Sequence, residues 1–299
     1  MGNCYQQQYH EIEETNYHNE RRTNSKLIDK PNGLSNLGNS CYLNAILQMI
    51  ANNPILQQKI TQQHPKKESN KLNHLFNDLL KRLKTNNQSP DEIWKWILNR
   101  REGFIRFKQH DASELYLLLM NNLGDEITGS LRILTEIHFD CGNRDHYEIS
   151  NNINFCLYVA VQNPKGSNLQ ELVDNQYSIS NCNEAGYDCD KCEKTKVICN
   201  KDSEAEKNID YLSGNQVHKV PVKTFTKITQ FPRVFVIHLN LYTQRGIKLK
   251  SQISYTEKIC IQGKHYLLNG LVVHKGNRMK SGHYIAYVKY NQKEWFKVN

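Results

Sequence analysis

The run Gly33-Leu34-Ser35-Asn36-Leu37-Gly38-Asn39-Ser40-Cys41 is rich in turn residues and stops where a helical apolar pattern starts. A thiol at that point sits at a helix N-terminus, where unpaired N–H groups and the positive dipole end favour thiolate over thiol. The same N–H groups, helped by a side-chain amide such as Asn36, would hold an oxyanion. Cys41 is therefore a candidate nucleophile. The alternative is a small buried hydrophobe behind a glycine turn. A base must come from the twelve histidines. His283, in Gly282-His283-Tyr284, is the best placed, because the glycine-bearing loop 275–282 delivers it to the mouth of an apolar strand at 284–288. Residues 294–299 read as the return strand. A hairpin centred on Asn291, with a three- or five-residue loop, sets His283 directly across from Asn299, close enough to orient the imidazole. Outside such a pairing, a histidine at a strand end is an ordinary surface residue.

A second constellation suits metal chemistry. Cys189-Asp190-Lys191-Cys192 and His138-Phe139-Asp140-Cys141, with Gly142 as a knuckle residue, form two pairs of the same spacing. Together they make a Cys3His set, which binds structural zinc tetrahedrally. Cys182 and Cys199 stand nearby in reserve, and reduced thiols without metal are the alternative. A redox role fits less well, since no helix start follows Cys192 to lower a thiol pKa.

These groups need elements to carry them. From Cys41 to Asn52 the apolar residues fall at helical spacing, with Pro54 ending the run, and further helices are predicted at about 70–84 and 90–100. Between Asp111 and Leu123 the apolar residues trace one buried helical face, with Asp111 as cap and Glu114 three residues on. After residue 130 the character turns to β, with strands predicted at 153–161, 234–239, 266–274 and 284–290 and a charged loop at 199–224. Helices followed by strands make an α+β chain. Residues 1–27 are polar and aperiodic and read as a mobile extension. Met1-Gly2-Asn3-Cys4 half-matches a myristoylation signal, but Gln6 stands where Ser or Thr is wanted. Weak membrane association through Gly2 and Cys4 is one reading, and an ordinary terminus the other.

The composition narrows the function class. The 299 residues carry 39 Lys+Arg against 30 Asp+Glu, a net charge of +9. Mean hydropathy is −0.71, and 35 Asn with 19 Gln supply much of that polarity. No stretch approaches the roughly 20 apolar residues of a membrane span, and no apolar leader follows Met1, so an intracellular protein, cytoplasmic or nuclear, is expected. Nine cysteines fit thiols and metal ligands better than a disulfide framework. The basic residues are scattered, so no nucleic-acid partner is expected.

Taken together, these motifs resemble those of the ubiquitin-specific proteases, papain-like cysteine deubiquitinases. The segment from Gly33 to Gln48 resembles their Cys box, with Ser40 and Ala45 where Thr and Ser are usual. Gln109-His110-Asp111-Ala112-Ser113-Glu114-Leu115 resembles their glutamine-aspartate box. Tyr266 to Gly276, with Gly282-His283-Tyr284-x-Ala286-Tyr287, resembles their His box, and Pro232 to Leu239 the strand before it. The resemblance implies a hand of helical thumb (about 30–125), antiparallel β palm and zinc-ribbon-like β fingers inserted in the palm (about 126–299), making 28–299 one catalytic domain. It implies Cys41 as nucleophile, His283 as base, Asn299 as third member four residues after Trp295, and Asn36 at the oxyanion. It puts Asp111, Gln109, His274 and Tyr284 at the substrate, and His138, Cys141, Cys189 and Cys192 where the family's fingers carry four cysteines. The partners implied are ubiquitin and ubiquitinated proteins, for a monomeric isopeptide hydrolase without catalytic cofactor. Two departures stand out. Asn240-Leu241-Tyr242 replaces the usual Lys-Arg-Phe, and the sequence stops at Asn299 where relatives continue. The second favours, as alternatives, a weakly active or inactive ubiquitin binder. A hydrolase of another ubiquitin-like modifier would look the same.

Overall fold

The computed structural model describes residues 30–62, 71–84, 89–100, 103–141, 148–161, 166–177, 183–188, 221–243, 245–249, 251–278, 281–290 and 294–298. The extension 1–27 with Gly2 and Cys4, the pair Cys189 and Cys192, and Asn299 lie outside them.

Six helices come first: α1 (Cys41–Ala51), α2 (Pro54–Thr61), α3 (Lys71–Leu83), α4 (Asp91–Asn99), α5 (Ala112–Asn122) and the single turn α6 (Asp125–Thr128). Every residue of α1 except Met49 is buried, so this is the central helix of its lobe and not an amphipathic surface one. Its buried amides work on the segment before it: Asn44 Nδ2 donates to the Leu34 and Ser35 carbonyls and Gln48 Nε2 to Asn32 O. Pro54 does end the first run, but by opening α2 at its first turn, capped by Asn53.

The strands follow: β1 (Ile133–Asp140), β2 (Glu148–Asn154), β3 (Leu157–Ala160), β4 (Ser167–Asn168), helix α7 (Leu169–Tyr177), then β5 (Asn183–Asp188), β6 (Pro221–Gln230), β7 (Ile237–Asn240), β8 (Ile253–Ser254), β9 (Lys258–Ile261), β10 (Lys264–Leu267), β11 (Gly270–Arg278), β12 (Ser281–Tyr290) and β13 (Glu294–Val298). The sheets β2-β1-β6-β5 and β11-β12-β13 are antiparallel, as expected, whereas β3 with β7 and β4 with β8 pair in parallel. The parallel pairing follows from a break in the strand predicted at 153–161. The chain bends at Phe155 and Cys156, where the buried Tyr116 hydroxyl takes the Phe155 carbonyl at 2.8 Å, and β3 leaves the first sheet. The segment expected as a loop up to residue 224 is already strand β6 from Pro221.

Two cores hold the structure. In the larger, Leu43, Leu47, Leu115 and Leu119 of the helices pack with Tyr284, Ala286, Val288 and Val298 of β12 and β13. Alternate residues of β12 thus form the floor on which α1 rests, and the helical lobe and the His283 strand share one interior.

Candidate active site

Cys41 opens α1 and is 5% exposed. The loop before it is tied by the Asn36 side chain, whose Oδ1 accepts from Gly38 N (3.0 Å), Ser40 N (3.4 Å) and Ser40 Oγ (3.1 Å). The oxygen of Asn36 is thereby used by the loop. Ser40 makes no side-chain cap to α1. Its hydroxyl instead takes Leu37 N at 2.8 Å, which braces the turn from inside. Gly38 has φ +88°, and a Cβ there would meet the Phe107 ring at 2.5 Å, so only glycine lets the Phe107 loop lie on the thiol loop. Asn39 Nδ2 ties the two by donating to Phe107 O at 2.6 Å.

Gln109 brings the two lobes together. Its Nε2 donates to Cys41 Sγ at 3.6 Å and to Gly282 O at 2.7 Å, so one amide touches the thiol and the residue preceding His283. The neighbouring His110 is structural: its Nε2 accepts from Ile105 N at 2.9 Å and its ring packs edge-on to Tyr42. Asp111 caps α5 through Ser113 N at 2.6 Å. The charge of this half-buried carboxylate favours the protonated forms of Tyr158, His238, Tyr242, His274 and Tyr284.

Two residues expected at the substrate take other roles. Tyr284 is 4% exposed, burial holds its phenol protonated, and its oxygen receives a backbone hydrogen bond from Ala112; it joins α5 to β12. His274 is 9% exposed. Its Nδ1 lies 2.6 Å from the Tyr242 hydroxyl, and its Nε2 is buried without a hydrogen-bond partner. Burial first, and then the charges of Lys248 and His283, push its imidazole below the usual value, with Asp111 pulling the other way.

The hairpin carrying His283 is not centred as expected. The pairs Ala286↔Val298, Lys289↔Trp295 and Tyr290↔Glu294 leave three residues between the strands, as predicted, but centre the hairpin on position 292 and not 291. The position across from His283 would be 301, so a direct His283–Asn299 pair does not form in this register. The reason is physical: registers two residues apart keep the same side chains on the same face, so local sequence does not separate them, and packing of β12 and β13 against the helices does.

The metal set is assembled only in part among the described residues, where no group of three or more ligating side chains occurs. His138 is 7% exposed, stacked on Phe225 at 4.4 Å, with Nε2 3.1 Å from Glu136 Oε2. In this conformation it does not fit a zinc ligand through Nε2, because Glu136 would have to leave first. Cys141 is half-buried just past the end of β1.

A thiol at a helix start, an amide beside it and a histidine-bearing strand, joined across a helical and a β lobe, have the arrangement of a papain-like cysteine hydrolase. The chain belongs to the ubiquitin carboxyl-terminal hydrolase family, whose model matches residues 32–299. Ubiquitin carboxyl-terminal hydrolase 17-like protein D of Mus musculus is 24% identical over 293 residues, covering 89% of this chain and 50% of that protein. Ubiquitin carboxyl-terminal hydrolase 8 of Saccharomyces cerevisiae is 23% identical, covering 91% of this chain and 66% of that protein. The chain thus spans about half the length of the mouse relatives it matches. Among solved structures, the SAGA DUB module Ubp8/Sgf11/Sus1/Sgf73 bound to monoubiquitin is similar in fold, with a TM-score of 0.64, 20% identity and coverage of 89% of this chain and 63% of that one. The same module bound to ubiquitin aldehyde gives a TM-score of 0.62 at 19% identity.

Proposed function

We propose that the chain is a thiol-dependent deubiquitinase, hydrolysing the isopeptide or peptide bond at the C-terminal glycine of ubiquitin. The observation that carries this is the Gln109 amide, which contacts Cys41 and the residue before His283 at once. Family membership, and neighbours bound to ubiquitin, support the substrate side. His283 takes the Cys41 proton and the thiolate attacks the glycine carbonyl. The Asn36 NH2 group and N–H groups at the start of α1 hold the oxyanion. On collapse the C–N bond breaks, His283 protonates the leaving lysine amine, and a thioester remains on Cys41. Water, deprotonated by His283, then attacks the thioester and releases Cys41. Asn299 is assigned to orient the imidazole. An amide there stabilises imidazolium less than a carboxylate would. Asp111 is assigned to an arginine of the ubiquitin tail, which a carboxylate accepts as a bidentate pair.

Incubation with ubiquitin bearing a C-terminal electrophile tests the reading. A covalent adduct is expected on the wild type with reductant near neutral pH, and none on Cys41→Ala. Absence of an adduct on the wild type would overturn it. The remaining assignments rest on sequence alone: a monomeric catalytic domain over 28–299, ubiquitinated proteins as partners, an intracellular site, lipidation at Gly2 or Cys4, and structural zinc on Cys141, Cys189 and Cys192, which His138 joins only by exchanging Glu136 for the metal.

A further inference from the structure

Tyr242 stands where the resemblance leads one to expect phenylalanine, and its additional oxygen is in use. Tyr242 and Lys248 face each other across a small antiparallel bridge, closed by Leu249 N on Leu241 O at 2.7 Å. Lys248 N on Asn277 O (3.0 Å) and an Ile247↔Arg278 bridge tie this piece to the end of β11. From it the Tyr242 hydroxyl reaches His274 Nδ1 at 2.6 Å, and the Lys248 ammonium reaches the His274 carbonyl. The His274 ring also packs on Tyr284 at 4.5 Å between centroids. His274 is thus gripped at its ring, its flank and its backbone.

Its free edge meets the catalytic strand. A Cβ placed on Gly282 would lie 2.5 Å from His274 Nε2 and 2.4 Å from Lys275 O, with Gly282 at φ +148°. The imidazole therefore occupies the space that any side chain at 282 would need. Gly282 is held at its carbonyl by Gln109, has no room for a side chain beside the His274 ring, and is followed by His283.

We propose that Tyr242 is a positioning residue for His283, acting through the His274 ring on Gly282; this rests on the hydrolase reading above. Burial keeps the Tyr242 phenol protonated and pushes the His274 imidazole below its usual value, so the hydroxyl and Nδ1 share one hydrogen bond between neutral groups in either ring tautomer. Without the hydroxyl, Nδ1 is left buried and unpaired, the ring turns to find another partner, and the seat under Gly282 shifts.

Tyr242→Phe removes only that oxygen. In single-turnover hydrolysis of a ubiquitin C-terminal fluorogenic amide, its rate constant is expected to fall about three- to tenfold at saturating enzyme, with KM within about twofold of wild type. On a His274→Asn background the same substitution is expected to add nothing, because its path is already cut. Melting curves establish that each variant is folded. Three results overturn the proposal: an unchanged rate constant, a change confined to KM, or a full additive loss in the double variant. If wild type proves inactive on ubiquitin, the hydrolase reading fails and the alkylation rate of Cys41 by iodoacetamide at pH 7 decides. A slower rate in Tyr242→Phe then supports the positioning role, and an equal rate overturns it.

Discussion

Replacing Gln109 by alanine removes the amide that reaches both Cys41 and Gly282. Its hydrogen bond to the Gly282 carbonyl, at 2.7 Å, contributes about 0.5–1.5 kcal/mol. The contact to sulfur at 3.6 Å is longer and adds less. Gln109 is half-buried and water can take over part of its role, so the loss of global stability should stay below about 1 kcal/mol. What is lost is the link between Cys41 and the residue before His283, the nucleophile and base of the proposed reaction. If roughly 1 kcal/mol of it is expressed in the transition state, kcat falls about fivefold, and KM is unchanged because the amide is spent on the enzyme and not on ubiquitin. Gln109→Glu is the sharper perturbation. It keeps the shape but places acceptor oxygens against the Gly282 carbonyl and the Cys41 sulfur, so its rate should fall below that of Gln109→Ala. The assay is steady-state hydrolysis of a ubiquitin C-terminal fluorogenic amide, with melting curves on each variant. A Glu variant at the wild-type rate, or an Ala variant changed only in KM, would refute the bridging role.

Three further outcomes follow from the geometry. Gly282→Ala should lower activity at least about a hundredfold, since the new Cβ collides with Lys275 O and the His274 ring and the residue must still adopt φ +148°; circular dichroism separates this from unfolding. Burial pushes the His238 imidazole below its usual value, against the pull of Asp111, so the unfolded chain binds protons more readily. Stability is therefore greatest above that value and falls as pH drops through it. Urea midpoints at pH 7.5 and 5 should show the loss, reduced in His238→Gln but not abolished, because His274 has the same sign. Metal analysis of purified protein should give close to one zinc, lowered by Cys141→Ser. Less than about half an equivalent, unaltered by that substitution, would favour bare thiols.

Local chemistry was legible where it depends on neighbours in sequence. The turn residues 33–40 and the apolar spacing after them mark the start of α1 at Cys41, and Asp111 before its periodic face caps α5, because caps and helical faces are written within a few residues. Helix α7 is written locally as well. Asn168 accepts from Gln170 N at 2.8 Å, and Glu171 stands three residues after it, but the strand-rich surroundings hid a helix with Val173 as its buried residue.

Other features exist only in three dimensions. The bend at Phe155 and Cys156 requires the Tyr116 hydroxyl, 39 residues away. The register of β12 with β13 is a choice among neighbouring pairings that differ by a residue or two in the turn, and packing of Ala286, Val288 and Val298 into the helical core selects one. Gln109 could be singled out by resemblance but not its task, since the atoms it joins lie 68 and 173 residues away. The same holds for Tyr242: in sequence it is a departure just past a strand, and only folding lays its hydroxyl on His274 and His274 against Gly282. Residue type and short spacing fix which groups can do chemistry; whether they meet depends on long-range packing, whose energy is spread over the whole core and is not carried by any one motif.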